Sequence, residues 1–212
     1  MSASSIYFDN NATTPLFPEV LQCMMDAFAD GFANPGSQHS YGREARRILE
    51  DSRESIAGIL NADASEVIFT SGGTESINMA IYGFTFGRTG TIALTAGEHP
   101  ATLMACEKAR QQGWQIVTLN VDQQGRLDET QWSSLPWADL KLVCVILAHN
   151  ETGVIQDVSR LASLCRSMVP HCCWTLSRLL GKRRLISSLL MPLLWRLVPT
   201  SFMDLAAWAV CC

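Results

Sequence analysis

Apolar residues recur at helical spacing in two early stretches of the chain, residues 18–30 and residues 41–60. Three- and four-residue intervals place such side chains along one face of a helix. The sequence therefore predicts two amphipathic helices. The apolar positions that define them are Val20, Met24, Ala27 and Phe28 in the first stretch and Ala45, Ile48, Leu49, Ile56 and Ile59 in the second.

Short apolar runs of strand length follow, separated by stretches with helical spacing. The predicted strands are residues 67–70, 91–95, 115–119 and 142–148. Helices are expected from about Thr74, Pro100 and Asp157, and residues 122–126 have the composition of a turn. Because strands and helices alternate, the chain is predicted to form an α/β fold with a parallel sheet and helical crossover connections.

Polar or glycine residues follow three of the predicted strands. Gly72, His99 and Asn150 each come a few residues after an apolar run. In open α/β sheets, ligands bind beyond the carboxyl ends of the strands. The three positions are therefore predicted to lie at one site.

Residues 71–76 have the composition of a phosphate-binding turn. Gly72 and Gly73 allow the backbone to approach an anion, Ser71 and Thr74 supply hydroxyl donors, and the following helix offers unpaired N–H groups. An ordinary strand-to-helix turn capped by threonine would have the same composition. Both interpretations stay open on these residues alone.

Two further strand ends carry groups suited to chemistry. His99 precedes Pro100, which fixes the start of a helix, so its imidazole can stack on a planar ring or transfer protons. The alternative is a histidine that only caps the helix. The amide of Asn150, in the stretch 149–153, can bind a ring oxygen or a carboxylate, or it can form an Asx-type turn.

The composition of the 212 residues is that of a globular protein, with 48% hydrophobic and 17% charged residues. A net charge of −4 provides no basic surface for nucleic acid, and no leader pattern is found, so a cytoplasmic location is expected. Cys23, Cys106, Cys144 and Cys165 occur singly without zinc-ligand spacing. They are predicted to be reduced thiols in the core, and no metal site is expected.

The composition changes near Pro170. Residues 1–170 contain 11 Lys and Arg against 19 Asp and Glu, whereas residues 171–212 contain 5 against 1. The net charge thus changes from −8 to +4. Half of the tryptophans and half of the cysteines also lie after this point. The last 42 residues do not continue the preceding pattern.

Five motifs in the first part of the chain resemble those of the cysteine desulfurases. The motifs are residues 7–15, residues 34–39 with Gly42, residues 69–78, residues 98–100 and residues 150–153, and they occur in that family's order and at its approximate spacing. Cysteine desulfurases are pyridoxal 5′-phosphate (PLP) enzymes of the class V aminotransferase group and are related to selenocysteine lyases. The resemblance covers about residues 6–168.

The resemblance implies part of a fold-type-I PLP-dependent transferase, with the large domain resembling that of aspartate aminotransferase. Residues 1–170 would form the N-terminal segment and the first part of this domain, and residues 171–212 are assigned to no domain. His99 would stack on the cofactor and act as an acid or base. The other implied roles are binding of the cofactor by Gly73, Thr74 and Asn150, and lining of the substrate entrance by Asn11, Ala12, Thr13, Asn34 and His39.

The same resemblance implies the reaction and the partners. The substrate would be L-cysteine, whose sulfur passes to an enzyme persulfide for iron–sulfur clusters or thiolated products and leaves alanine. The intact family form is expected to be a homodimer that meets a sulfur-acceptor scaffold protein. Two alternatives are a selenocysteine lyase or other class V member, and a non-catalytic protein that binds a full-length homologue through residues 1–60.

Three family residues have no counterpart in frame: the lysine that holds PLP, the aspartate below its ring nitrogen and the persulfide cysteine. The only lysines are Lys108, Lys141 and Lys182, and none has the family's Ser-His-Lys setting. His149 also departs from the family's usual asparagine. The chain is therefore expected to be inactive as it stands.

A shifted reading frame permits the missing aspartate and lysine motifs. When each codon is read from its third base, Trp174 and Thr175 force an aspartate, and the following codons through Lys182 permit Ala-Val-Gln-Ala-Val-Gly-Lys. In the same frame, residues 199–210 permit His-Lys-Phe-His-Gly-Pro-Arg-Gly-Leu-Gly-Gly. This pattern predicts a frameshift near residues 169–171, either a mutation or a sequencing error.

The tail itself is expected to be poorly ordered, because a segment read out of frame has not been selected for packing. Its apolar run at residues 185–198 is interrupted by Pro192 and Arg196 and is too short to span a bilayer. No membrane anchor is therefore predicted.

Overall fold

The computed structural model describes residues 6–8, 14–60, 62–168 and 171–175. These residues belong to two compact units, one that ends at Val67 and one that begins at Ile68. The predicted region 1–170, an N-terminal segment followed by the first part of the large domain, extends over both units.

The first unit is helical. It contains α1 (Pro18–Asp30) and α2 (Ser40–Leu60), followed by a short 3-10 helix, Ala64–Glu66. Pro18 is the first residue of α1, where its missing N–H costs no hydrogen bond. Helix α1 ends where the Gly31 N–H donates to the Ala27 carbonyl at 2.8 Å.

Few side chains of the first unit are buried. Its buried hydrophobic residues among those described are Ala45, Ala57 and Val67, and none comes from α1. The guanidinium of Arg53 donates to the Val67 carbonyl and so joins α2 to the end of the unit. The described part of this unit therefore lacks a large core of its own.

The second unit is a four-stranded parallel sheet with helices. Its strands lie in the order β2-β1-β3-β4, and each neighbouring pair is parallel. The elements in chain order are α3 (Gly73–Thr85), β1 (Thr91–Thr95), α4 (Pro100–Gln111), β2 (Gln115–Leu119), a 3-10 helix (Glu129–Ser134), β3 (Leu140–Ile146), α5 (Ser159–Met168) and β4 (His171–Thr175).

Two apolar clusters fill the second unit. In one, Ile77 and Ile81 of α3 pack with Ile92, Ala105 and Trp114. The other cluster contains β3 residues, the 3-10 helix and α5, including Trp132, Leu140, Val143, Val145, Leu161 and Cys165. The two faces of the sheet are both covered, as a parallel sheet requires.

Most predicted elements are confirmed. Helix α1 has the predicted bounds, α2 starts one residue earlier than predicted, and β1 and β2 match residues 91–95 and 115–119. Strand β3 begins and ends two residues before the predicted 142–148. The predicted parallel α/β arrangement is therefore correct for the second unit.

The predicted strand at residues 67–70 is wrong. The chain leaves the Ala64–Glu66 turn and continues to α3 without joining the four-stranded sheet. An apolar run becomes a strand only when a neighbouring strand pairs with it. No strand of the described chain takes that place.

The first five residues of the segment assigned to the tail form a strand of the sheet. Residues 171–175 form β4, which pairs with β3 from Leu142↔His171 to Ile146↔Thr175. The rest of the predicted tail, residues 176–212, lies outside the described residues. Across the part of the chain that the structure describes, no helix has both the length and the apolarity that a membrane crossing requires.

The cysteine prediction is confirmed for three residues and wrong for one. Cys106, Cys144 and Cys165 are buried free thiols, but Cys23 is exposed. Cys23 lies on α1, which buries none of its residues.

Candidate functional site

The carboxyl ends of β1 and β3 define one edge of the sheet. The two strands are adjacent and parallel, and they end at Thr95 and Ile146. The turns that lead to His99 and Asn150 therefore leave the sheet side by side.

Helix α3 runs antiparallel to these strands. Its C-terminal end lies at the amino edge, since the indole Nε1 of Trp114 donates to the Thr85 carbonyl at 3.3 Å, just before β2 begins. A helix of 13 residues is about 20 Å long, which spans the length of the short strands. The opposite end, with Gly73 and Thr74, consequently lies toward the carboxyl edge.

The N-terminus of α3 is open for an anion. A Cβ added at Gly72 would meet nothing within 4 Å, and the N–H groups of a first helical turn have no acceptor within the helix. The hydroxyl and N–H of Ser71, by contrast, both donate to Glu75 Oε2 at 2.6 Å. These bonds hold the pKa of the Glu75 carboxyl below its ordinary value. The donors left for an anion are therefore those of Gly73 and Thr74.

His99 is a half-buried residue that caps α4. Its Nδ1 accepts the N–H of Ala101 at 3.1 Å, and Pro100 follows as the first helical residue. In the neutral ring, this bond leaves the proton on Nε2. The capping role is therefore present, and it also fixes the orientation of the imidazole.

Asn150 lies in a tight turn after β3. The turn is closed by hydrogen bonds from the His149 N–H to the Val154 carbonyl at 2.9 Å and from the Gly153 N–H to the His149 carbonyl at 3.0 Å. Gly153 has φ of +74°, which favours glycine. The turn thus places Asn150 at the same edge as His99.

His149 supplies the side-chain hydrogen-bond acceptor that an oxygen supplies in an Asx-type turn. Its Nδ1 accepts the N–H groups of Glu151 at 3.2 Å and Thr152 at 3.3 Å. The departure from the asparagine of the resembled family therefore keeps a side-chain acceptor in the turn.

Sequence reasoning gave no role to Glu98, which lies next to His99. Its side chain is only 4% exposed, and Oε1 accepts the N–H of Ile146 at the end of β3. Burial raises the pKa of this carboxyl, and the hydrogen bond from Ile146 lowers it by less. An acid directly before a histidine and a proline was the only sequence signal.

The predicted entrance residues that the structure describes belong to the first unit. Asn34 Oδ1 accepts the Gly36 N–H at 2.8 Å, and His39 Nδ1 accepts the Gly42 N–H at 3.2 Å at the start of α2. Both side chains therefore hold local turns. The other predicted entrance positions, Asn11, Ala12 and Thr13, lie outside the described residues.

The two described lysines lie away from this site. Lys141 is at the start of β3, where its Nζ donates to the Ala138 carbonyl at 3.2 Å. Lys108 is in the last turn of α4, with Nζ 5.8 Å from the centre of the Tyr82 ring. The start of β3 and the C-terminal end of α4 both lie at the amino edge of the sheet, opposite the edge that carries His99. The third lysine, Lys182, is outside the described residues.

The fold is that of the PLP-dependent transferases. A solved NifS-like protein superposes with a TM-score of 0.73 at 33% identity, over 79% of this chain and 48% of that chain. A structure described as SspA in complex with cysteine gives a TM-score of 0.76 at 28% identity, over 82% and 51% of the two chains.

A family model described as aminotransferase class-V matches residues 6–174, and the chain therefore belongs to this family. Among curated relatives, a putative cysteine desulfurase IscS 1 of Bacillus subtilis is 40% identical over 164 residues, which are 76% of this chain and 43% of that protein. The cysteine desulfurase NifS of Azotobacter vinelandii is 38% identical over 76% of this chain and 41% of that protein. The chain thus spans less than half of these relatives.

The family is PLP-dependent. The described residues fit the phosphate and ring of that cofactor, because the space beside Gly72 at the N-terminus of α3 is open and an oriented imidazole, His99, lies at the same edge. The match also reaches six residues beyond the predicted limit of 168, to a position within β4.

Proposed function

We propose that the intact form of this protein is a PLP-dependent cysteine desulfurase and that residues 68–175 supply the phosphate and ring side of its site. The carrying observation is that the open N-terminus of α3 and the fixed His99 imidazole lie at one edge of the sheet. The similarity to curated cysteine desulfurases supports the choice of reaction within the family.

The proposal gives each group a physical role. The N–H groups of Gly73 and Thr74, with the Thr74 hydroxyl, bind the phosphate where the helix dipole favours negative charge. Asn150 orients a ring oxygen or the substrate. PLP, when bound, supplies the electron-accepting ring that activates the amino-acid substrate.

His99 has two tasks in this proposal. Its ring stacks on the cofactor, and Nε2 holds or moves a proton near the reacting carbon. The bond from the Ala101 N–H to Nδ1 fixes which nitrogen carries the proton in the neutral ring. Cysteine as substrate, alanine as product and a sulfur-acceptor scaffold protein are part of the same proposal.

Binding of free PLP to the 212-residue chain tests the site. Titration should show saturable binding for the wild type and a loss of roughly tenfold or more in affinity for Thr74→Ala, since a charge-assisted hydrogen bond is removed. Thr89→Ala is the matched control, because Thr89 lies just before β1 at the amino edge. Equal affinity of all three proteins would contradict the assignment of the phosphate site.

We also propose that the chain as given is inactive. Lys108 and Lys141 lie at the amino edge, away from His99, which supports this view. After incubation with PLP and borohydride, mass spectrometry should find no pyridoxyl group fixed stoichiometrically to a single lysine. One uniquely labelled lysine, together with release of sulfide from cysteine, would overturn the proposal.

The frameshift accounts for the missing lysine. We expect the coding sequence across codons 165–175 to need a repair of one or two bases to restore Asp-Ala-Val-Gln and His-Lys-Phe in frame. Re-sequencing this stretch of DNA is the direct test. An unambiguous sequence with no such repair possible would exclude this account.

A second candidate function has its own support. Helix α1 buries none of its residues and exposes Leu21, Met25 and Phe28, and Phe17 just before it is exposed as well. This surface favours association, either as the homodimer of an intact enzyme or as a non-catalytic protein bound to a full-length homologue. Co-purification at fixed stoichiometry, without PLP binding, would favour the non-catalytic role.

The substrate and the location complete the proposal. A selenocysteine lyase or another class V activity is the enzymatic alternative to cysteine desulfuration, and a cytoplasmic protein is expected. Comparing sulfide and selenide release by the frame-restored enzyme, with cysteine and selenocysteine as substrates, decides between the two activities.

A further inference from the structure

The turn between β1 and α4 contains a buried acid. Of the acidic side chains in the described chain, only Glu98 is buried, with 4% of its surface exposed. Its Oε1 accepts the N–H of Ile146, the last residue of β3. The carboxyl of the turn after β1 therefore accepts a hydrogen bond from the backbone of the neighbouring strand.

The second carboxyl oxygen lies in a confined polar space. Glu98 Oε2 and Thr102 Oγ1 are both buried, and burial raises the pKa of the carboxyl by more than hydrogen bonding from Thr95, Thr102 and the His99 N–H lowers it. Thr102 belongs to the first turn of α4, the helix that His99 caps. Burying a carboxyl group is costly unless it is hydrogen-bonded, so these donors and the Ile146 N–H stabilise it in this turn.

The same two turns also approach each other at Gly97. A Cβ placed on Gly97 would lie 3.4 Å from His149 Nε2, and Gly97 has φ of +87°. His149 in turn accepts two N–H groups of the turn that carries Asn150. The turn after β1 and the turn after β3 therefore lie close together at Gly97 as well as at Glu98.

We propose that Glu98 is a positioning residue: by holding the Ile146 N–H, its carboxyl fixes the turn that presents His99 relative to the turn that presents Asn150. This inference rests on the proposed function for its purpose, but its geometry is independent of cofactor binding. Glu98 touches neither cofactor nor substrate and acts through His99.

Two substitutions separate positioning from simple filling of space. Glu98→Gln keeps an acceptor for the Ile146 N–H, whereas Glu98→Met keeps the length and removes the acceptor. Glu107→Gln is the control, since Glu107 lies on α4 and pairs with Arg110 at the surface. None of these changes alters His99, Gly73 or Thr74.

The measurements are amide hydrogen exchange at Ile146 and the ¹⁵N shifts of the His99 ring. Glu98→Met should speed exchange of the Ile146 amide by roughly tenfold or more, because its N–H loses a buried partner. It should also shift the Nδ1 and Nε2 signals of His99 in the folded protein. Glu98→Gln and Glu107→Gln should change the exchange rate of the Ile146 amide by less than about threefold and leave the ¹⁵N shifts of the His99 ring unchanged.

Opposite outcomes would overturn the inference. If Glu98→Met leaves the His99 signals in place, the residue serves stability alone. If Glu98→Gln moves the His99 signals, Glu98 acts through its charge and not through the Ile146 hydrogen bond. Should Glu98→Met not fold, the comparison of the wild type with Glu98→Gln decides by itself. Failure of the wild type to bind PLP would refute the proposed function but leave these readouts valid.

Discussion

The two units differ in how they bury apolar side chains. In the first, α1 exposes its large hydrophobic residues, and Phe28 is 76% exposed. In the second, Ile77 and Ile81 of α3 and Leu161 of α5 have no more than 2% of their surface exposed. The same helical spacing of apolar residues therefore produced a packed helix in one place and an uncovered helix in the other. Periodicity shows which face of a helix is apolar, and tertiary context determines whether that face is covered.

Of the changes considered, loss of the Trp114 side chain from the packed second unit should lower the free energy of unfolding most. Trp114 packs against Phe84 with ring centres 5.9 Å apart and donates to the Thr85 carbonyl. Trp114→Ala should lower the free energy of unfolding of the second unit by about 3–5 kcal/mol. Urea unfolding, followed by hydrogen exchange in β1 and β2, measures this. A loss confined to the first unit would contradict the assignment of the core.

In the first unit, the backbone of residues 34–37 closely approaches Gly42. A Cβ there would lie 2.4 Å from the Ser37 carbonyl oxygen and 2.9 Å from that of Asn34. Gly42→Ala should therefore destabilise the 34–39 loop and the start of α2 by about 1–3 kcal/mol.

The control for this prediction is Gly58→Ala in the same helix. Gly58 has nothing within 4 Å of an added Cβ, and alanine should stabilise α2 by about 0.5–1 kcal/mol. Hydrogen exchange of the Arg43 amide and of the α2 amides reports both changes. If the two alanine variants behave alike, the close approach at Gly42 is not a constraint.

The pH dependence of the second unit should contain a contribution from Glu98. Because burial raises its pKa in the folded state above the ordinary value for glutamate, the protonated form is favoured by folding. This stabilisation is complete below the ordinary pKa of glutamate and is lost as the pH rises through the raised folded value. Glu98→Gln removes the titration.

The measurement is urea unfolding of the wild type and Glu98→Gln from pH 4 to pH 8. The stability of the wild type relative to the variant should fall as the pH rises. The neighbours that act on the carboxyl are Ile146, Thr95, Thr102 and the His99 N–H, and none of these contacts is with a charged group. A difference that stays constant over this range would show that Glu98 does not titrate there.

The smallest expected effect is at Phe28. Because its side chain is exposed on α1, Phe28→Ala should change the free energy of unfolding of the chain by less than about 0.5 kcal/mol. If α1 is an association surface, the same variant should weaken self-association or binding to a homologue, as measured by analytical ultracentrifugation. A large loss of stability in the monomer would mean that α1 is covered within the chain.

The sequence was a good guide where local chemistry decides the structure. Pro18, Pro100 and the helical spacing fixed the starts of α1 and α4, and the turn at residues 122–126 is closed by the Gly125 N–H donating to the Asp122 carbonyl at 2.9 Å. Gly73, Thr74 and His99 were predicted from the same kind of local pattern. Their roles toward PLP remain predictions.

Prediction failed where partners distant in sequence decide. The apolar residues 67–70 lack a pairing strand, and Cys23 lies on a helix that buries nothing. The bond from the Ile146 N–H to Glu98 joins residues 48 positions apart, and no local pattern announces it. Likewise, the Ser71 donors were predicted to face an anion, yet Glu75 accepts them.

The position of β4 in the sequence determines when the last strand of the described sheet is synthesised. All four strands, the α3 N-terminus and His99 are encoded before residue 176. Domains generally fold as units, N-terminal parts first during synthesis, so these strands emerge from the ribosome ahead of any segment that follows β4. A change of reading frame at the predicted position, residues 169–171, would precede β4, so it would replace the strand that pairs with β3 and leave β1, β2 and β3 as they were encoded.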